Sequence, residues 1–281
     1  MTEREIQVAD YVSSSKLSDF VINPYWGCPH ACRYCYASAM PRRFEHSEQW
    51  GEYLDVKRCS KPLGVKRLTG RSVFMSSVTD CYNPLERKYK VTRRILEELA
   101  PIECELSILT KSKLLLRDLD LLAPRVNMFQ ESATLWKDKN EHKRYGIRVL
   151  TSINTLDEDF RSDMDRASTI EERLDMIKTC HENGIPTSIF VAPIFPLITD
   201  FRSIVERAAP FVDEFLFDRL NLRRGYKEDI LAYIRARFPK FYKVYLEIYR
   251  HENDSFWKSL KYEIENFCDE NKIRRQIFFN S

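Results

Sequence analysis

Residues 23–37, NPYWGCPHACRYCYA, contain three cysteines in the spacing C-x3-C-x2-C. Cubane iron–sulfur clusters are held by cysteine thiolates, normally four of them. Cys28, Cys32 and Cys35 have no obvious fourth partner in the sequence, which would leave one iron of a cluster open to a substrate or cofactor. Gly27 and Pro29 favour a loop over a helix here. The segment therefore predicts a [4Fe-4S] cluster wrapped by a short loop.

Two other interpretations of these cysteines are open. Zinc prefers four Cys or His ligands in tetrahedral geometry, and His30, Cys59 or Cys81 could complete such a set. The spacing and the flanking aromatic residues, however, do not resemble a zinc finger or ribbon. The three cysteines could also be ordinary free or buried thiols, as we expect for Cys104 and Cys180.

On the carboxyl side of this segment, short apolar stretches alternate with amphipathic helical patterns. The strand-like stretches, counting the one that leads into the cysteines, are residues 19–23, 72–76, 105–109, 149–153, 185–193 and 214–217. Helical patterns occupy residues 86–99, 112–122, 169–183 and 201–209, with Ser112 as an N-cap and Thr169 and Glu172 as a capping box. Strands that alternate with helices predict βα units, an α/β fold and a parallel sheet.

The number of βα units predicts a curved, partly open barrel, because six units are fewer than the eight of a closed barrel. A flat, doubly wound sheet fits the same pattern. After Tyr226 the sequence changes to helical patterns rich in charged and aromatic residues. We therefore predict a barrel over residues 1–226 and a helical C-terminal extension, residues 227–281, packed on it.

Composition excludes several classes of protein. The chain has 281 residues, 8 cysteines, 7 glycines and a net charge of +3. None of the glycines lies in a dinucleotide-binding or P-loop pattern. No apolar stretch approaches the roughly 18 residues of a membrane helix, and the first dozen residues lack a secretory signal. We therefore expect a cytoplasmic protein whose cysteines act as ligands, catalytic thiols or core residues rather than disulfides.

The cysteine segment resembles that of the radical S-adenosylmethionine (SAM) superfamily, whose signature is C-x3-C-x2-C with an aromatic residue before the last cysteine. The longer stretch NPYWGCPHACRYCYA is similar to the spore photoproduct lyase-type branch, the DNA repair photolyases. Further segments agree with this branch in the same order: residues 76–99, 108–112, 152–158 and 185–196. The resemblance thus covers roughly residues 20–225 of the chain.

The resemblance implies a partial (β/α)6 barrel with its site at the carboxyl ends of the strands, and a [4Fe-4S] cluster on Cys28, Cys32 and Cys35. In this superfamily SAM chelates the open iron. One electron, expected from a flavodoxin- or ferredoxin-type donor, cleaves SAM to methionine and a 5′-deoxyadenosyl radical. The radical then abstracts a hydrogen atom from the substrate.

The resemblance also implies which residues bind SAM. Tyr36 would pack beside the adenine and Tyr34 near the cluster. Polar side chains at the strand ends would bind the ammonium, carboxylate and ribose groups, with Asp80 accepting from the ammonium and Lys111 pairing with the carboxylate. The full expected set is Tyr34, Tyr36, Ser77, Thr79, Asp80, Lys111, Ser152, Asn154 and Ala192.

This sequence departs from the branch near the end of the second strand. Spore photoproduct lyase has a cysteine there that donates a hydrogen atom to a product radical, and Ser77 stands at that place here. A serine O–H bond is too strong for that role. Cys81 follows four residues later and is the remaining candidate for a catalytic thiol.

The sequence leaves the substrate class open. The branch implies a nucleic-acid lesion or base, and Lys and Arg outnumber Asp and Glu more than twofold in residues 33–94. These cations could contact phosphates, with Trp50 and Tyr53 stacking on bases and Arg223 and Arg224 adding an anion contact. The same residues fit a solvated rim around a pocket for a small molecule or peptide. A non-catalytic iron–sulfur or zinc protein that binds nucleic acid is a further alternative.

Overall fold

The computed structural model describes residues 1–40, 46–128, 145–222, 224–251 and 253–279. Its strands are β1 (Thr2–Gln7), β2 (Val12–Ser14), β3 (Phe20–Ile22), β4 (Tyr25–Trp26), β5 (Tyr53–Arg58), β6 (Ser72–Met75), β7 (Glu105–Leu109), β8 (Ile147–Ser152), β9 (Thr187–Ile194), β10 (Glu214–Arg219) and β11 (Arg275–Ile277). Its α-helices are α1 (Val65–Leu68), α2 (Glu86–Tyr89), α3 (Val91–Leu99), α4 (Leu119–Leu122), α5 (Glu158–Met164), α6 (Ile170–Glu182), α7 (Phe201–Ala208), α8 (Lys227–Arg237), α9 (Tyr242–Tyr249) and α10 (Ser255–Glu270).

The larger sheet has the strand order β11-β10-β9-β8-β7-β6-β3-β2. The six predicted strands are β3 and β6 to β10, and each pairs in parallel with the next one along the chain. Every βα unit therefore advances the sheet in one direction, as in a barrel, whereas a doubly wound sheet reverses its order at a switch point. Because β2 and β11 form the two edges of the described sheet, the barrel is partial, which confirms the predicted fold class.

One face of the parallel sheet carries the main hydrophobic core. Leu106, Ile108 and Val149 point from β7 and β8 into a core that also holds Ile95 and Leu99 of α3. These strand residues alternate with residues on the opposite face, as the two-residue period of a strand requires. Cys104 and Cys180 are fully buried in the same core, as predicted.

The predicted helices form with two local differences. The capping box of Thr169 and Glu172 begins α6 as expected. The helix expected over residues 86–99 is instead two helices, because Lys90 is left-handed (φ +51°). The buried carboxylate of Glu86 accepts from the backbone N–H groups of Thr92 (3.0 Å) and Arg93 (3.3 Å), so it caps the second helix.

The second difference lies in the segment after β7. Ser112 caps it as predicted, with its hydroxyl accepting from Leu114 N (3.3 Å). Residues Lys113–Asp118 nevertheless form a 3-10 helix, and only the following turn, α4, is α-helical.

The C-terminal region is helical up to Glu270, as expected, but it is not helical throughout. Its last described strand, β11, pairs in parallel with β10. Pairing satisfies the backbone groups of β10 that would otherwise be exposed at the sheet edge. Trp257 and Ile264 of α10 share a core with Phe215 of β10, so the region packs on the barrel. The division into two units at residue 226 stays a prediction.

A second, three-stranded sheet, with the order β1-β5-β4, was not predicted. The sequence signal is weak because β1 is mostly exposed and β4 has two residues. This sheet positions the cysteines, since β4 runs directly into Gly27 and Cys28. Within the described ranges, no helix has the length and apolar character needed to cross a membrane.

We expect Gly27→Ala to destabilise the protein more than Gly184→Ala. Both glycines have positive φ, +86° and +73°, so alanine costs each about 1–2 kcal/mol in backbone strain. A Cβ at Gly27 would also lie 2.5 Å from the carbonyl oxygen of Tyr53, whereas nothing lies within 4 Å at Gly184. Urea unfolding of both variants measures the difference, and equal losses would show that the contact with Tyr53 does not restrict the loop.

Candidate active site

The three cysteines lie on one continuous loop that follows β4. Its turns are closed by hydrogen bonds from Ala31 N to Cys28 O (3.1 Å) and from Cys35 N to Cys32 O (3.1 Å). Cys28 and Cys32 are buried, Cys35 is partly exposed, and all three are free thiols. Burial raises the pKa of each thiol, to about 12 for Cys32.

Hydrogen bonds from two parts of the barrel hold the cysteine loop. Beyond β6, the hydroxyl of Thr79 donates to Gly27 O (2.6 Å). In the segment between α5 and α6, Arg166 N donates to His30 O (2.7 Å). On the same side, Met164 O accepts from Arg33 N (3.0 Å). Both parts lie at the carboxyl edge of the parallel sheet, where the active sites of βα barrels are built.

Asp80 joins the ends of β6 and β7 to the cysteine loop. One carboxylate oxygen accepts from Tyr82 N (2.8 Å) and the Thr110 hydroxyl (2.7 Å), and the other accepts from Lys111 N (2.9 Å). His30 Nδ1 lies 3.3 Å from that second oxygen, close enough for an ion pair but outside hydrogen-bond geometry. Burial alone would raise the pKa of Asp80, but His30 and the N–H and O–H donors outweigh it and hold the pKa at about 2.

The side chain of Lys111 ends against the cysteine loop. Its Nζ lies 2.6 Å from Cys32 Sγ, 3.1 Å from Asp165 Oδ2 and 3.4 Å from the Tyr34 hydroxyl. The other oxygen of Asp165 accepts from the buried Arg173 guanidinium (2.6 Å). The strand end, the cysteine loop and the segment before α6 thus meet at one buried ion pair.

Each residue of this ion pair stabilises the charged form of the other. Burial alone would raise the pKa of Asp165, but Lys111 and Arg173 lower it well below its ordinary value. Burial opposes the charged form of Lys111 as well, yet Asp165 and Cys32 raise its pKa well above its ordinary value. Both groups are therefore charged at neutral pH.

Tyr34, Tyr36 and Ser77 lie together around the cysteine loop. The Tyr34 hydroxyl donates to Asp165 Oδ2 (3.1 Å), and its ring meets Phe195 edge to face. The Tyr36 hydroxyl donates to the carbonyl oxygen of Ser77, and its side chain is among the exposed large hydrophobic groups. The Ser77 hydroxyl accepts from the Asn23 amide (2.8 Å). The positions expected near Cys35 and the second strand are therefore neighbours.

The remaining expected SAM residues end β8 or lie on β9. Ser152 is partly buried, and its carbonyl oxygen accepts from Arg173 (3.1 Å). Asn154 is 3% exposed, and its Nδ2 has no hydrogen-bond partner among the described residues. Ala192 is 9% exposed. Asn154 is thus the member of the expected set with a buried donor still available.

Cys81 does not lie with these residues. Its side chain is fully buried in the hydrophobic core that includes Tyr25 and Val91. Its backbone is fixed by the hydroxyls of Ser76 (2.8 Å) and Thr92 (2.6 Å). The thiol has no exposed surface from which to reach a substrate, so its surroundings are those of a core residue.

The arrangement of the cysteines fits a cluster better than a zinc ion. Zinc ligands converge on one point, and in the part of the chain that the structure describes no group of three or more His, Cys, Asp or Glu is arranged to hold one ion. Each cysteine of a cubane cluster binds a different iron, so its ligands are spread apart. Three thiols on one loop beside the Lys111 ammonium match an anionic cluster with one open iron.

The basic segment is less available to phosphates than its composition suggests. Several of its cations form ion pairs with acidic residues that lie outside the segment. These pairs are Arg58–Glu5 (2.6 Å), Arg67–Asp10 (2.7 Å), Lys88–Glu3 (2.7 Å) and Arg93–Asp120 (2.7 Å). The segment is therefore partly neutralised by residues distant in sequence.

The expected stacking role of Tyr53 is wrong. Tyr53 is 2% exposed and stacks on His46, with ring centroids 3.7 Å apart. It belongs to β5 of the three-stranded sheet, and the His46 ring covers it. Trp50 packs edge to face against it. Arg223 and the side chain of Arg224 lie outside the described part of the chain.

Sequence reasoning missed Asp165 and Arg173. Lys111 and Asp165 are 54 residues apart in the chain, and neither acid nor guanidinium lies in a recognised motif. An acidic residue shortly before a helical pattern resembles an ordinary helix-terminal group. Their role depends on which strand ends and loops become neighbours, which local patterns do not report.

Comparison with known proteins identifies the chain's relatives. The family model described as the radical SAM superfamily matches residues 22–207. An uncharacterized protein of Methanocaldococcus jannaschii is 34% identical over 226 residues, which cover 80% of this chain and 78% of that protein. An uncharacterized protein of Acidianus two-tailed virus is 32% identical, with 75% of this chain and 70% of that one covered.

Solved structures share the fold. A mutant of spore photoproduct lyase with dinucleoside spore photoproduct has a TM-score of 0.55 and 15% identity, covering 84% of this chain and 66% of that chain. Streptococcus suis SuiB bound to S-adenosylmethionine has a TM-score of 0.50 and 12% identity, covering 93% of this chain and 50% of that chain. This chain thus spans about two thirds of the lyase and half of SuiB.

We expect Asp165→Asn to cost about 3–5 kcal/mol in unfolding free energy, because it leaves the buried Lys111 and Arg173 cations without their anion. Asp163→Asn is the matched control, since Asp163 is exposed and accepts from the Tyr233 hydroxyl at 2.7 Å. It should cost within about 0.5 kcal/mol. Urea unfolding of the metal-free proteins at pH 7 measures both.

The difference between wild type and Asp165→Asn should shrink at low pH. The folded-state pKa of Asp165 is depressed, so its stabilisation is present above its ordinary pKa of 3.8 and is lost as the pH falls below that value. A difference that is small at pH 7, or equal to that of Asp163→Asn, would contradict a stabilising role for the buried pair.

Proposed function

The chain belongs to the radical SAM superfamily, and we propose on this basis that Cys28, Cys32 and Cys35 hold the [4Fe-4S] cluster that this family uses with SAM. The protein is thus a radical SAM enzyme, and such enzymes require an external reductant. We propose a donor of the flavodoxin or ferredoxin type, acting in the cytoplasm, where cysteines stay reduced. The observation that carries the cluster proposal is the three-cysteine loop held over the carboxyl ends of the strands.

With cluster and SAM bound, one-electron reduction supplies a 5′-deoxyadenosyl radical that abstracts a hydrogen atom from the substrate. The residues of this chain bind and orient the reactants. Asn154 would donate its unpartnered Nδ2 to a SAM hydroxyl or carboxylate, because a buried amide gains most from a partner. Ala192 would leave room for the adenine beside Tyr36, and Ser152 would lie at the same edge.

Residues after β6 would hold the cysteine loop in place. Thr79 donates to Gly27 O (2.6 Å), and Ser77 supports Tyr36 through its carbonyl oxygen. Asp80 has His30 and three hydrogen-bond donors around its two oxygens. A carboxylate offers about four acceptor positions, so the three donors leave one on Asp80 for a SAM ammonium, at the oxygen that His30 Nδ1 approaches to 3.3 Å.

For the substrate, we propose a base or lesion in nucleic acid. The support is the fold shared with spore photoproduct lyase, whose solved structures include a dinucleoside spore photoproduct. A base inside a duplex cannot reach a radical in a barrel, so it would have to leave its stack. The ion pairs of residues 33–94 favour the second candidate, a small molecule or peptide, because they leave fewer cations for phosphates.

Oligonucleotide binding at different salt concentrations separates these two substrate classes. Each phosphate contact releases counterions, so the affinity for a single strand should fall by about 0.7 log units per log unit of salt for every contact. For the reconstituted protein, we expect a slope of log affinity against log salt that corresponds to several phosphate contacts. Fluorescence anisotropy measures this slope. Binding that is absent, or insensitive to salt, would favour the small-molecule or peptide class.

The cluster proposal is tested by SAM cleavage. We expect the anaerobically reconstituted protein, reduced with dithionite, to produce 5′-deoxyadenosine from SAM. In Cys32→Ala, we expect this activity to fall at least a hundredfold and most of the iron to be lost. Cys59→Ser is the control, because Cys59 is partly exposed and its thiol lies beside Lys61 O (3.6 Å), away from the loop. It should keep both.

Each outcome of the cleavage assay is informative. Loss in Cys32→Ala alone supports the proposed cluster ligands. Equal activity in both variants would contradict them. Stoichiometric zinc without iron in the wild type would favour the non-catalytic zinc alternative instead.

A further inference from the structure

The ammonium group of Lys111 already has a hydrogen-bond partner for each of its three hydrogens. An ammonium group has three hydrogens to donate. Its nitrogen has three partners here: Cys32 Sγ at 2.6 Å, Asp165 Oδ2 at 3.1 Å and the Tyr34 hydroxyl at 3.4 Å. These contacts leave no N–H for the carboxylate of SAM, the role that sequence resemblance implies for this residue.

The partners of Lys111 are themselves held in place. Asp165 accepts through its first oxygen from Arg173 (2.6 Å) and from Ala167 N (3.0 Å), and through its second from Tyr34 (3.1 Å) and Lys111. The Asp165 and Arg173 side chains are each 1% exposed. The carboxylate therefore cannot turn away without leaving buried charges unpaired.

The backbone of Lys111 is fixed on both sides as well. Its N–H donates to Asp80 (2.9 Å), and its carbonyl oxygen accepts from Ser168 N (3.2 Å). Backbone, side-chain tip and the counter-ion are all restrained by different parts of the barrel. The position of the ammonium beside the sulfur of Cys32 is thus fixed by the surrounding fold.

We propose that Lys111 is a positioning residue for the cluster, whose ammonium donates a hydrogen bond to the Cys32 thiolate and raises the cluster's reduction potential. This rests on the proposed function, since it requires Cys32 to be a cluster ligand. Reduction adds negative charge to the cluster and its sulfurs. A nearby cation and an N–H donor stabilise the reduced form more than the oxidised form, and both are known determinants of cluster potential.

The test is a redox titration of the reconstituted proteins without SAM, followed by the electron paramagnetic resonance signal of the reduced cluster. We expect Lys111→Met to lower the midpoint potential by at least 59 mV, the equivalent of a tenfold change in a one-electron equilibrium. Lys111→Gln should fall between, because an amide can donate a hydrogen bond but carries no charge. Lys113→Met is the control: it removes a cation two residues away that is half exposed and paired with Glu172, and it should leave the midpoint unchanged.

The possible outcomes distinguish this proposal from the proposed function on which it rests. An unchanged midpoint in Lys111→Met, with weaker SAM binding by equilibrium dialysis, would overturn it and return Lys111 to the SAM carboxylate. If Lys111→Met holds no iron, the midpoint of Lys111→Gln decides in the same way. A wild type that binds no cluster would instead refute the proposed function itself.

Discussion

The buried pair of Asp165 and Lys111 is the interaction on which the site depends. It connects a strand end, the segment before α6 and the cysteine loop, through Tyr34 and Cys32. Burying a carboxylate and an ammonium is costly unless their remaining donors and acceptors are satisfied. Here Arg173, Tyr34 and the backbone N–H of Ala167 complete the carboxylate, so the charges can stay in an interior of low polarity and impose one position on the loop.

The topology explains why these groups meet. Consecutive strands pair in parallel, so their carboxyl ends form one edge, and the residues that follow β6, β7 and β8 become neighbours there. Asp80, Lys111 and Asn154 come from three successive units of this kind. The unpredicted three-stranded sheet delivers the cysteines to the same edge through β4. The cysteine loop is thereby held by contacts to several strand ends, through Thr79 and Lys111.

Much of the barrel could be predicted because its signals are local. Apolar stretches marked the six strands, and the Thr169–Glu172 box marked the start of α6. The assignment of Cys28, Cys32 and Cys35 as cluster ligands stays a prediction. The rest depends on contacts between distant residues. Tyr53 looked like an available aromatic until β5 buried it, and Arg58 looked like a free cation until β1 brought Glu5 beside it. Asp165 carries no motif, so its role appears only when the fold places it beside Lys111.

The proposed function requires the cysteine loop to hold a cluster with one iron open to SAM. Mössbauer spectroscopy of protein reconstituted with iron-57, recorded with and without SAM, tests it most directly. We expect SAM to change the signal of about a quarter of the cluster iron, one of its four sites, and to leave the rest as it was. A spectrum that SAM does not alter, from protein with a full complement of iron, would contradict the claim.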